Sequence, residues 1–242
     1  MVYKKISNTG MNKTGTKNET NRINWLSQTL LKIPEGSRIL DAGAGEQQFK
    51  NLCSHLNYVA QDFAQYNGQG NERGLQVGAW NQTQLDIISD ITAIPEPDES
   101  FDAIMCVEVF EHLPEPLLAL KEFSRLLRPN GNLIITAPFC SLTHFAPYYF
   151  YTGFSRYFYE YHIPKFGLTI VDFQENGNFF EYLAQEVRRV NWVAEKYSNI
   201  TMNRWEKLVI NSMLKILEKF SDRDKGSSEL LSFGCHLLAI KK

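Results

Sequence analysis

The feature that most constrains the fold of this chain is a short apolar strand that runs directly into a glycine-rich turn, SRILDAGAGEQQF, over residues 37–49. Gly43 and Gly45 allow the backbone to turn sharply and let a ligand approach without meeting a side chain. We expect a helix after the second glycine, with its first backbone amides free to face a ligand. A strand, a glycine turn and a helix in this order are typical of a nucleotide-type cofactor loop. A plain strand-to-helix turn with two glycines is the alternative.

Acidic residues recur where successive strands are predicted to end. Asp41 closes the first strand, and Asp62 follows the next strand 21 residues later. A carboxylate at about this distance (roughly 20 residues) accepts hydrogen bonds from ribose hydroxyls in related loops. Asp90, with Ile91 beside it, would end a third strand and suits an adenine ring. The alternatives are a solvated turn for Asp62 and a helix N-cap for Asp90. Gln48 occupies the third position of a GxGxxG fingerprint, which disfavours a nicotinamide dehydrogenase.

Beyond this segment the chain alternates short apolar runs with helical patterns. Leucines at helical spacing predict a helix over residues 115–127, and a similar stripe predicts one over residues 20–32. Apolar runs predict strands at 38–40, 58–60, 101–107, 132–136, 168–173 and 235–240. This alternation predicts an α/β fold with a mostly parallel sheet and helices on both faces.

The length of 242 residues fits one large α/β domain. Residues 1–18 are polar and rich in Lys, Asn, Thr and Gly, so we expect them to form a flexible arm. Residues 19–242 are then expected to form a single domain with a helical insert over about 179–225.

Composition excludes several functional classes. The formal net charge of −2 disfavours a strongly basic nucleic-acid-binding protein. No apolar run approaches the roughly 18 residues of a membrane span, and the first 20 residues lack the apolar centre of a secretion signal. The four cysteines are far apart and form no CxxC pair, which disfavours a structural zinc site and a disulfide framework. These features favour a cytoplasmic protein.

Five segments taken together carry a family resemblance: RILDAGAGE, YVAQD, SDITAIP, FDAIMCVEVFEHLPEP and LLRPNGNLIITAP. They resemble the class I S-adenosylmethionine-dependent methyltransferases and are most similar to the small-molecule branch that includes the ubiquinone-biosynthesis O-methyltransferases. The match covers residues 37–138 and is weaker up to about residue 175. The resemblance implies a Rossmann-like, seven-stranded, mostly parallel sheet with an antiparallel last strand and a helical insert before it.

The resemblance also implies S-adenosylmethionine as the cofactor, bound across the carboxyl ends of the first strands. By this resemblance, Asp41, Gly43 and Gly45 would contact the methionine end of the cofactor, and Asp62 would contact the ribose. Asp90 and Ile91 would contact the adenine ring. Val107 and Glu108 would lie beside the sulfonium. The chain departs from the family at one position, because many relatives have a third glycine where this chain has Gln47.

Methyl transfer from a sulfonium is an in-line displacement that asks the protein mainly for alignment and a dry site. A general base helps when the acceptor is a hydroxyl or a protonated amine. The run VEVFEHLP after the fourth predicted strand offers Glu108, Glu111 and His112, and His144 follows the fifth strand. We expect Glu111, His112 and His144 to be the catalytic candidates, because histidine titrates in the useful pH range. Ordering of the loop by His112 is the alternative.

The same run contains residue types that bind metals, and the resembling enzymes leave metal assistance open. Because three ligands from one short run would all have to point inward, we expect no bound metal.

Two further segments stand out. Residues 145–161 carry ten of the 31 aromatic residues and would form either a wall of the acceptor pocket or a packed cover. Residues 179–220 predict two helices, the second with an apolar stripe from Met202 to Phe220. Such a stripe indicates core packing, with a lid or a homodimer surface as the alternatives.

These features favour methyl transfer to a small-molecule acceptor, with oxygen as the acceptor atom by resemblance only. A catalytically silent methyltransferase-like domain that binds a partner is one alternative, and methylation of a macromolecule is another. The stretch 86–126 contains ten acidic and two basic residues, which disfavours docking of a nucleic acid beside the site.

Overall fold

The computed structural model describes residues 13–242. Their contacts divide them into two compact units, the first formed by residues 24–174 and 234–242 and the second by residues 13–23 and 175–233. The predicted arm over residues 1–18 lies outside the described residues as far as residue 12. None of the helices within 13–242 is both long enough and apolar enough to cross a membrane.

A seven-stranded sheet organises the first unit, with the strand order β3-β2-β1-β4-β5-β7-β6. Neighbouring strands from β3 to β5 are parallel, whereas β7 runs antiparallel to β5. The predicted fold class is therefore confirmed. The strands are β1 Arg38–Ala42, β2 Asn57–Asp62, β3 Ile87–Ile88, β4 Phe101–Val107, β5 Leu127–Pro138, β6 Leu168–Asn176 and β7 Gly234–Lys241.

The sheet is buried on both faces because successive side chains of a strand point in opposite directions. In β1, Ile39 joins one apolar cluster and Leu40 joins the other. The first cluster includes Leu26 and Leu30 of helix α1, Asn18–Leu30, and the second includes Leu120 of helix α2, Pro116–Leu126. A short helix α3, Arg156–His162, follows β5.

Two helices, α4 Phe179–Ser198 and α5 Arg204–Ser221, form most of the second unit. Both begin with an asparagine that caps the helix by accepting a backbone hydrogen bond, and α5 has a full capping box with Glu206. They pack through a small apolar cluster centred on Ala184, Leu214 and Leu217.

The described end of the predicted arm packs within the second unit. The backbone amide of Gly15 donates to Glu181 Oε2 at 2.6 Å, and Arg188 Nε donates to the carbonyl oxygen of Thr14 at 2.8 Å. The side chain of Thr14 is buried. Residues 13–18 are therefore held by specific contacts, and α1 already begins at Asn18.

The apolar stripe predicted on the second helix of this region does not pack into a core. The residues of α5 that face α4 are Ile210, Leu214 and Leu217. The predicted stripe lies on a different side of the helix, where Trp205 is 79% and Val209 is 68% exposed. Core packing was thus the wrong expectation for most of this stripe, because α5 carries two apolar faces and α4 packs mainly on the other one, although Phe220 at the end of the stripe contacts Phe180 of α4.

The prediction of a helix directly after Gly45 was also wrong. Residues 45–49 form turns, followed by a single 3-10 turn at Lys50–Cys53. The reason lies at Gln47, whose φ of 58° is in the left-handed region and interrupts a right-handed helix. This is the position where many relatives have a third glycine, so Gln47 adopts the conformation that a glycine would adopt there.

Glycine at position 47 should therefore be more favourable than alanine. Both Gln47→Gly and Gln47→Ala remove the hydrogen bonds of the Gln47 side chain to Gln84 and Lys50, and only alanine keeps a Cβ at positive φ. We expect Gln47→Gly to be more stable than Gln47→Ala by about 1 kcal/mol in urea denaturation. Asn51, in the 3-10 turn, is the control, where alanine should be the more stable of the same pair. An advantage for alanine at both positions would contradict the assigned backbone.

Candidate functional site

The glycine turn after β1 is tied to the end of β2 by backbone and side-chain hydrogen bonds. The amides of Gly43 and Ala44 donate to the carbonyl oxygen of Gln61 at 2.9 and 2.8 Å. The amide of Gly45 donates to Asp62 Oδ2 at 3.0 Å, and Asp62 is buried. The predicted loop and its partner acid are thus in direct contact at the carboxyl edge of the sheet.

Gln61 and Asp62 extend this contact to the next segments of the chain. Gln61 Nε2 donates to the carbonyl oxygen of Ser89 at 2.7 Å, just beyond β3. Asp62 Oδ1 accepts from the amide of Ala64 at 2.9 Å and from Gln82 Nε2 at 3.2 Å. The Asp62 carboxylate therefore holds the loop together and retains acceptor capacity, because an ionised carboxylate has about four lone-pair sites.

Asp41 is buried in β1 and accepts a hydrogen bond from the Tyr58 hydroxyl at 2.5 Å. Burial raises the pKa of Asp41 from 3.8 to about 7, and the negative charge of Asp62 adds to this increase, although the bond from Tyr58 opposes it. Burial also raises the pKa of Tyr58, so its hydroxyl remains a donor. Because the pKa of Asp41 is about 7, a positively charged group beside it would favour its ionised form.

Asp90 lies two residues after β3, as expected. Its Oδ1 accepts from the amide of Thr92 at 2.8 Å and from the Thr92 hydroxyl at 2.7 Å, which forms a local turn. Residues 91–100 contain turns and bends but no helix, so the helix N-cap considered as the alternative is not present. The Asp90 side chain is exposed. Ile91 packs into the main apolar cluster, so its side chain stabilises the core below the sheet edge.

Both glycines of the turn are approached closely by other side chains. A Cβ on Gly43 would lie 2.5 Å from Val109 Cγ2, and a Cβ on Gly45 would lie 3.1 Å from the Trp80 ring. Any larger residue at position 43 would therefore collide with Val109. Trp80 belongs to residues 63–86, a connection between β2 and β3 that contains turns and bends but no helix.

This connection carries an aromatic cluster formed by Tyr66, Trp80 and Phe145. The Tyr66 ring lies 5.0 Å from Trp80 and 4.8 Å from Phe145. Leu75 forms a bridge with His144, and its carbonyl oxygen accepts from the amide of Phe145 at 3.0 Å. The connection therefore both covers the glycine turn and positions the segment that carries His144.

At the end of β4, Val107 is buried and Glu108 has a φ of 56°. The amide of Glu108 donates to the carbonyl oxygen of Thr136 at 2.8 Å, and the Thr136 hydroxyl donates to Glu108 Oε1 at 2.8 Å. These bonds fasten the chain to the neighbouring strand β5 where it leaves the sheet. The next residues form a 3-10 turn, Phe110–His112.

The three predicted catalytic residues come together. Glu111 Oε1 lies 3.6 Å from His112 Nε2 and 3.5 Å from His144 Nε2. One ligand-type atom of each residue lies within 4.8 Å of those of the other two. We refer to Glu111, His112 and His144 as the Glu-His-His cluster. His144 comes from a different segment than the other two, so the requirement that one short run supply three inward ligands does not apply.

The second ring nitrogens fix the histidines. His112 Nδ1 contacts the carbonyl oxygen of Tyr148 at 2.5 Å, and His144 Nδ1 contacts that of Leu142 at 2.8 Å. A carbonyl can only accept, so each Nδ1 donates its proton and each Nε2 faces Glu111. The carbonyl oxygen of Glu111 accepts from the amides of Phe150 and Tyr151, which holds the turn in place.

The electrostatics of the cluster are asymmetric. Burial lowers the pKa of His112 and outweighs the attraction of Glu111, so this ring favours its neutral form. Burial opposes the charge of His144 too, but the hydrogen bond and the charge of Glu111 raise its pKa. Burial alone would raise the pKa of Glu111, yet His144 and His112 hold it below its ordinary value. The shifts therefore favour the ionised form of Glu111 and the neutral form of His112, and they make His144 the more basic of the two histidines.

Two buried acceptors of the cluster have no hydrogen-bond partner within the described residues, namely Glu111 Oε2 and His112 Nε2. Unpaired buried polar atoms are rare in folded proteins, and an ordered water, an ion or a catalytic role is the usual explanation. A hydroxyl donor or a cation would satisfy both atoms.

One part of the aromatic segment packs around the two histidines, and another part packs into the core. Phe145 stacks on His112 with ring centroids 5.0 Å apart, and Tyr149 lies 5.2 Å from His144. By contrast, Phe154 and Tyr159 are buried in the main apolar cluster. The packed-cover expectation thus holds for Phe154 and Tyr159, and the pocket-wall expectation stays a prediction for Phe145 and Tyr149.

Sequence analysis missed several residues of this site. Gln61 directly precedes Asp62, which was recognised, but nothing in the sequence distinguishes Gln61 from a solvated strand residue. Trp80 and Gln82 lie in an irregular connection whose course follows no periodic pattern. Val109 was passed over as an apolar residue within the VEVFEH run.

The comparisons with known proteins agree with this geometry. Residues 40–135 match a family model described as a methyltransferase domain. This segment, about two fifths of the chain, is therefore similar to methyltransferase domains. The resemblance to the class I S-adenosylmethionine-dependent methyltransferases that was stated from the sequence is therefore confirmed.

Curated relatives are similar to part of this chain. A ubiquinone biosynthesis O-methyltransferase from Xanthomonas axonopodis pv. citri is 29% identical over 118 residues, which is 48% of this chain and 48% of the relative. A demethylmenaquinone methyltransferase from Renibacterium salmoninarum is 30% identical over 170 residues, covering 66% of this chain and 65% of the relative. The chain spans about half to two thirds of the length of these relatives.

Solved structures share the fold at low identity. An S-adenosylmethionine-dependent methyltransferase from Archaeoglobus fulgidus aligns with a TM-score of 0.53 at 15% identity, covering 95% of this chain and 97% of that one. A phosphoethanolamine N-methyltransferase from Haemonchus contortus, solved with S-adenosyl-L-methionine, aligns with a TM-score of 0.51 at 16% identity, covering 91% and 52%. The cofactor expected from the sequence agrees with these matches.

The raised pKa of Asp41 predicts a specific pH dependence of stability. Because the folded pKa is about 7 and the ordinary value is 3.8, the folded state keeps a proton that the unfolded state releases. As the pH rises through this window, Asp41 should remove about 1.4 kcal/mol of the free energy of unfolding per pH unit. In urea denaturation, Asp41→Asn should therefore gain stability relative to wild type from about pH 4 to pH 7 and then level off.

Glu35→Gln serves as the control for the Asp41 experiment, because Glu35 is exposed. Its stability should follow the wild-type curve at every pH. Parallel curves for wild type and Asp41→Asn would contradict the buried, proton-retaining state of Asp41.

Proposed function

We propose that this chain is an S-adenosylmethionine-dependent methyltransferase that acts on a small-molecule acceptor of the quinone type. The observation that carries the proposal is the hydrogen bond from the Gly45 amide to the Asp62 carboxylate at the carboxyl edge of the sheet. The Glu-His-His cluster follows β4 and β5 on the same edge. Ligands of open α/β sheets bind outside the carboxyl ends of the strands. The names of the relatives support a quinone-type acceptor.

The residues present fit the cofactor. Asp62 and Asp90 keep acceptor capacity for ribose hydroxyls and an adenine amino group. The raised pKa of Asp41 means that an ammonium group nearby would favour its ionised form, which burial alone disfavours. The Trp80 ring lies beside Gly45 and offers a face that suits a flat or cationic group. Gly43, Val107 and Glu108 complete the proposed contacts.

When bound, the cofactor supplies an activated methyl group on a sulfonium sulfur. The chain then has to align the acceptor with that methyl group and keep water out. The aromatic rings of Phe145 and Tyr149, packed on the two histidines, provide an apolar wall for a flat acceptor. Residues 63–86 close the site from the side of the glycine turn.

The Glu-His-His cluster supports oxygen as the acceptor atom. The lone pair of His112 Nε2 is positioned to take the proton of an acceptor hydroxyl, since its Nδ1 already donates to the carbonyl oxygen of Tyr148. Glu111 Oε2 is a second unpartnered acceptor that orients the same hydroxyl. The hydrogen bond and charge of His144, with the charge of His112, hold the pKa of Glu111 below its ordinary value and so favour an acceptor carboxylate.

A divalent metal ion is a second candidate for the same cluster. Two imidazole nitrogens and one carboxylate are ligand types that divalent transition metals bind, and the two unpartnered acceptors fit a cation as well as a hydroxyl. Glu111, His112 and His144 would hold the ion, which would supply Lewis-acid polarisation of the acceptor oxygen. Sequence analysis had expected no metal.

The Asp62 assignment predicts weaker cofactor binding in Asp62→Ala. The variant loses the anchor of Gly45 and the acceptor for ribose hydroxyls, so its affinity for S-adenosylmethionine should fall by about 1–3 kcal/mol in titration calorimetry. Asp98→Ala is the control, because Asp98 is an exposed residue paired with Arg125, and it should bind as wild type does. Unchanged affinity in Asp62→Ala would contradict the assignment, and no binding to wild type would favour a silent partner-binding domain.

The Glu-His-His assignment predicts a loss of turnover without a loss of cofactor. Glu111→Gln and His112→Asn should lower kcat with a catechol-type quinol by about 10²–10⁴-fold, because each removes a group that orients or deprotonates the acceptor. Affinity for S-adenosylhomocysteine, measured by calorimetry, should stay near that of wild type. His55→Asn is a matched control, since His55 contacts the carbonyl oxygen of Leu30 far from the cluster. Full turnover in both cluster variants would rule out the assigned role.

Dialysis against a chelator separates the two candidates for the cluster. Unchanged turnover after chelation assigns the chemistry to the side chains alone. Loss of turnover that is restored by a divalent metal assigns the cluster to metal binding.

A further inference from the structure

Helix α5 has two apolar faces, and α4 covers only one of them. The second face, which we call the outer stripe, carries residues spaced three or four apart, so they line one side of the helix. Their exposed fractions range from 38% to 79%. The outer stripe consists of Trp205, Val209, Met213 and Ile216, whereas Phe220 at the end of the same side packs against Phe180 of α4.

A row of basic side chains flanks the outer stripe. Arg204, Lys215 and Lys219 are exposed, and the helical repeat of 3.6 residues places them along one edge of the stripe. Helix α5 contains four Lys and Arg residues against two Glu residues, whereas the remaining 21 basic and 25 acidic residues of the chain give a negative balance. One of the two acids, Glu206, is held in the capping box. The excess positive charge is therefore concentrated beside the apolar stripe.

The C-terminal end of α4 and the following loop add exposed aromatic and aliphatic side chains to the same unit. Tyr197 is 64% exposed, Ile200 is 62% exposed and Trp192 is 39% exposed. Lys196 Nζ lies 5.3 Å from the centre of the Trp192 ring and 5.2 Å from that of Tyr197. Trp and Tyr beside Lys are the residues enriched at the boundary between lipid and water.

We propose that the outer stripe docks onto an anionic lipid surface, with α5 lying in the plane of the interface. An amphipathic helix with Trp, Phe and aliphatic residues on one side and Lys and Arg beside them binds in this way. The basic row meets the anionic headgroups, while the stripe enters the boundary of the acyl chains. The proposal concerns the second unit alone and does not depend on the identity of the methyl acceptor.

A second copy of this chain is the main competing occupant, and the charges disfavour it. A twofold contact would place the same surface of both copies together. When the twofold packs the two α5 helices antiparallel, their basic rows meet at one seam, where like charges repel. An anionic lipid surface removes this repulsion and covers the same apolar side chains.

The test is sedimentation of the full-length protein with vesicles. We expect binding to equimolar phosphatidylglycerol and phosphatidylcholine at low salt, and little binding to phosphatidylcholine alone. At about 1 M salt, where the Debye length is about 3 Å, binding to the anionic vesicles should decrease strongly. Binding to neither vesicle, or equal binding to both, would overturn the proposal.

Paired variants separate the stripe from the basic row. The double variant Trp205→Ser with Val209→Ser should lower the vesicle partition coefficient by about tenfold or more, because two large apolar side chains no longer enter the interface. Lys215→Gln with Lys219→Gln should lower it by about tenfold or more on anionic vesicles. The controls are Leu31→Ser, at a residue that is 70% exposed in the first unit, and Lys32→Gln with Lys121→Gln, at exposed residues.

Circular dichroism and the midpoint of thermal unfolding establish that each variant is folded. Wild-type binding by both double variants would overturn the proposal. Light scattering tests the second copy as the occupant. If wild type is a dimer that does not bind vesicles, and Trp205→Ser with Val209→Ser makes it a monomer, then the outer stripe is a dimer interface and the lipid proposal is overturned.

Discussion

The buried carboxylate of Asp62 holds the turn after β1 against the end of β2 through the amide of Gly45. The same carboxylate accepts from Ala64 and Gln82, so it fixes the start of the irregular connection 63–86 as well. That connection carries Trp80 onto the glycine turn and pairs at Leu75 with His144. One carboxylate thus links the proposed cofactor loop, its cover and one member of the proposed catalytic cluster.

The proposed acceptor site depends on a second electrostatic constraint. Two buried acceptors of the cluster, Glu111 Oε2 and His112 Nε2, have no hydrogen-bond partner within the described residues. The carbonyl oxygens of Tyr148 and Leu142 fix the orientation of both histidines. These backbone hydrogen bonds therefore prevent either imidazole ring from rotating to donate a hydrogen bond to the unpartnered acceptors. Such an arrangement is unfavourable in an empty site and becomes favourable when a hydroxyl or a cation binds.

The sequence predicted the sheet well because its signals are local. The run Phe101–Val107 is apolar, bounded by turn residues, and agrees with β4 residue for residue. The helix after Gly45 failed because a positive φ at Gln47 has no signature in a residue that usually avoids it. The stripe on α5 was recognised, but periodicity cannot tell which of two apolar faces a neighbouring helix covers. The meeting of His144 with Glu111 depends on long-range contacts of an irregular connection, which no local pattern encodes.

The most direct measurement of the central claim is a crystal structure of the protein with S-adenosylhomocysteine. The account predicts that the nucleoside contacts Asp62 and Asp90 at the carboxyl edge of the sheet, with the homocysteine end beside Gly43 and the sulfur facing the Glu-His-His cluster. A ligand bound elsewhere, or an occupied cleft in which Asp62 contacts only its own loop, would contradict it.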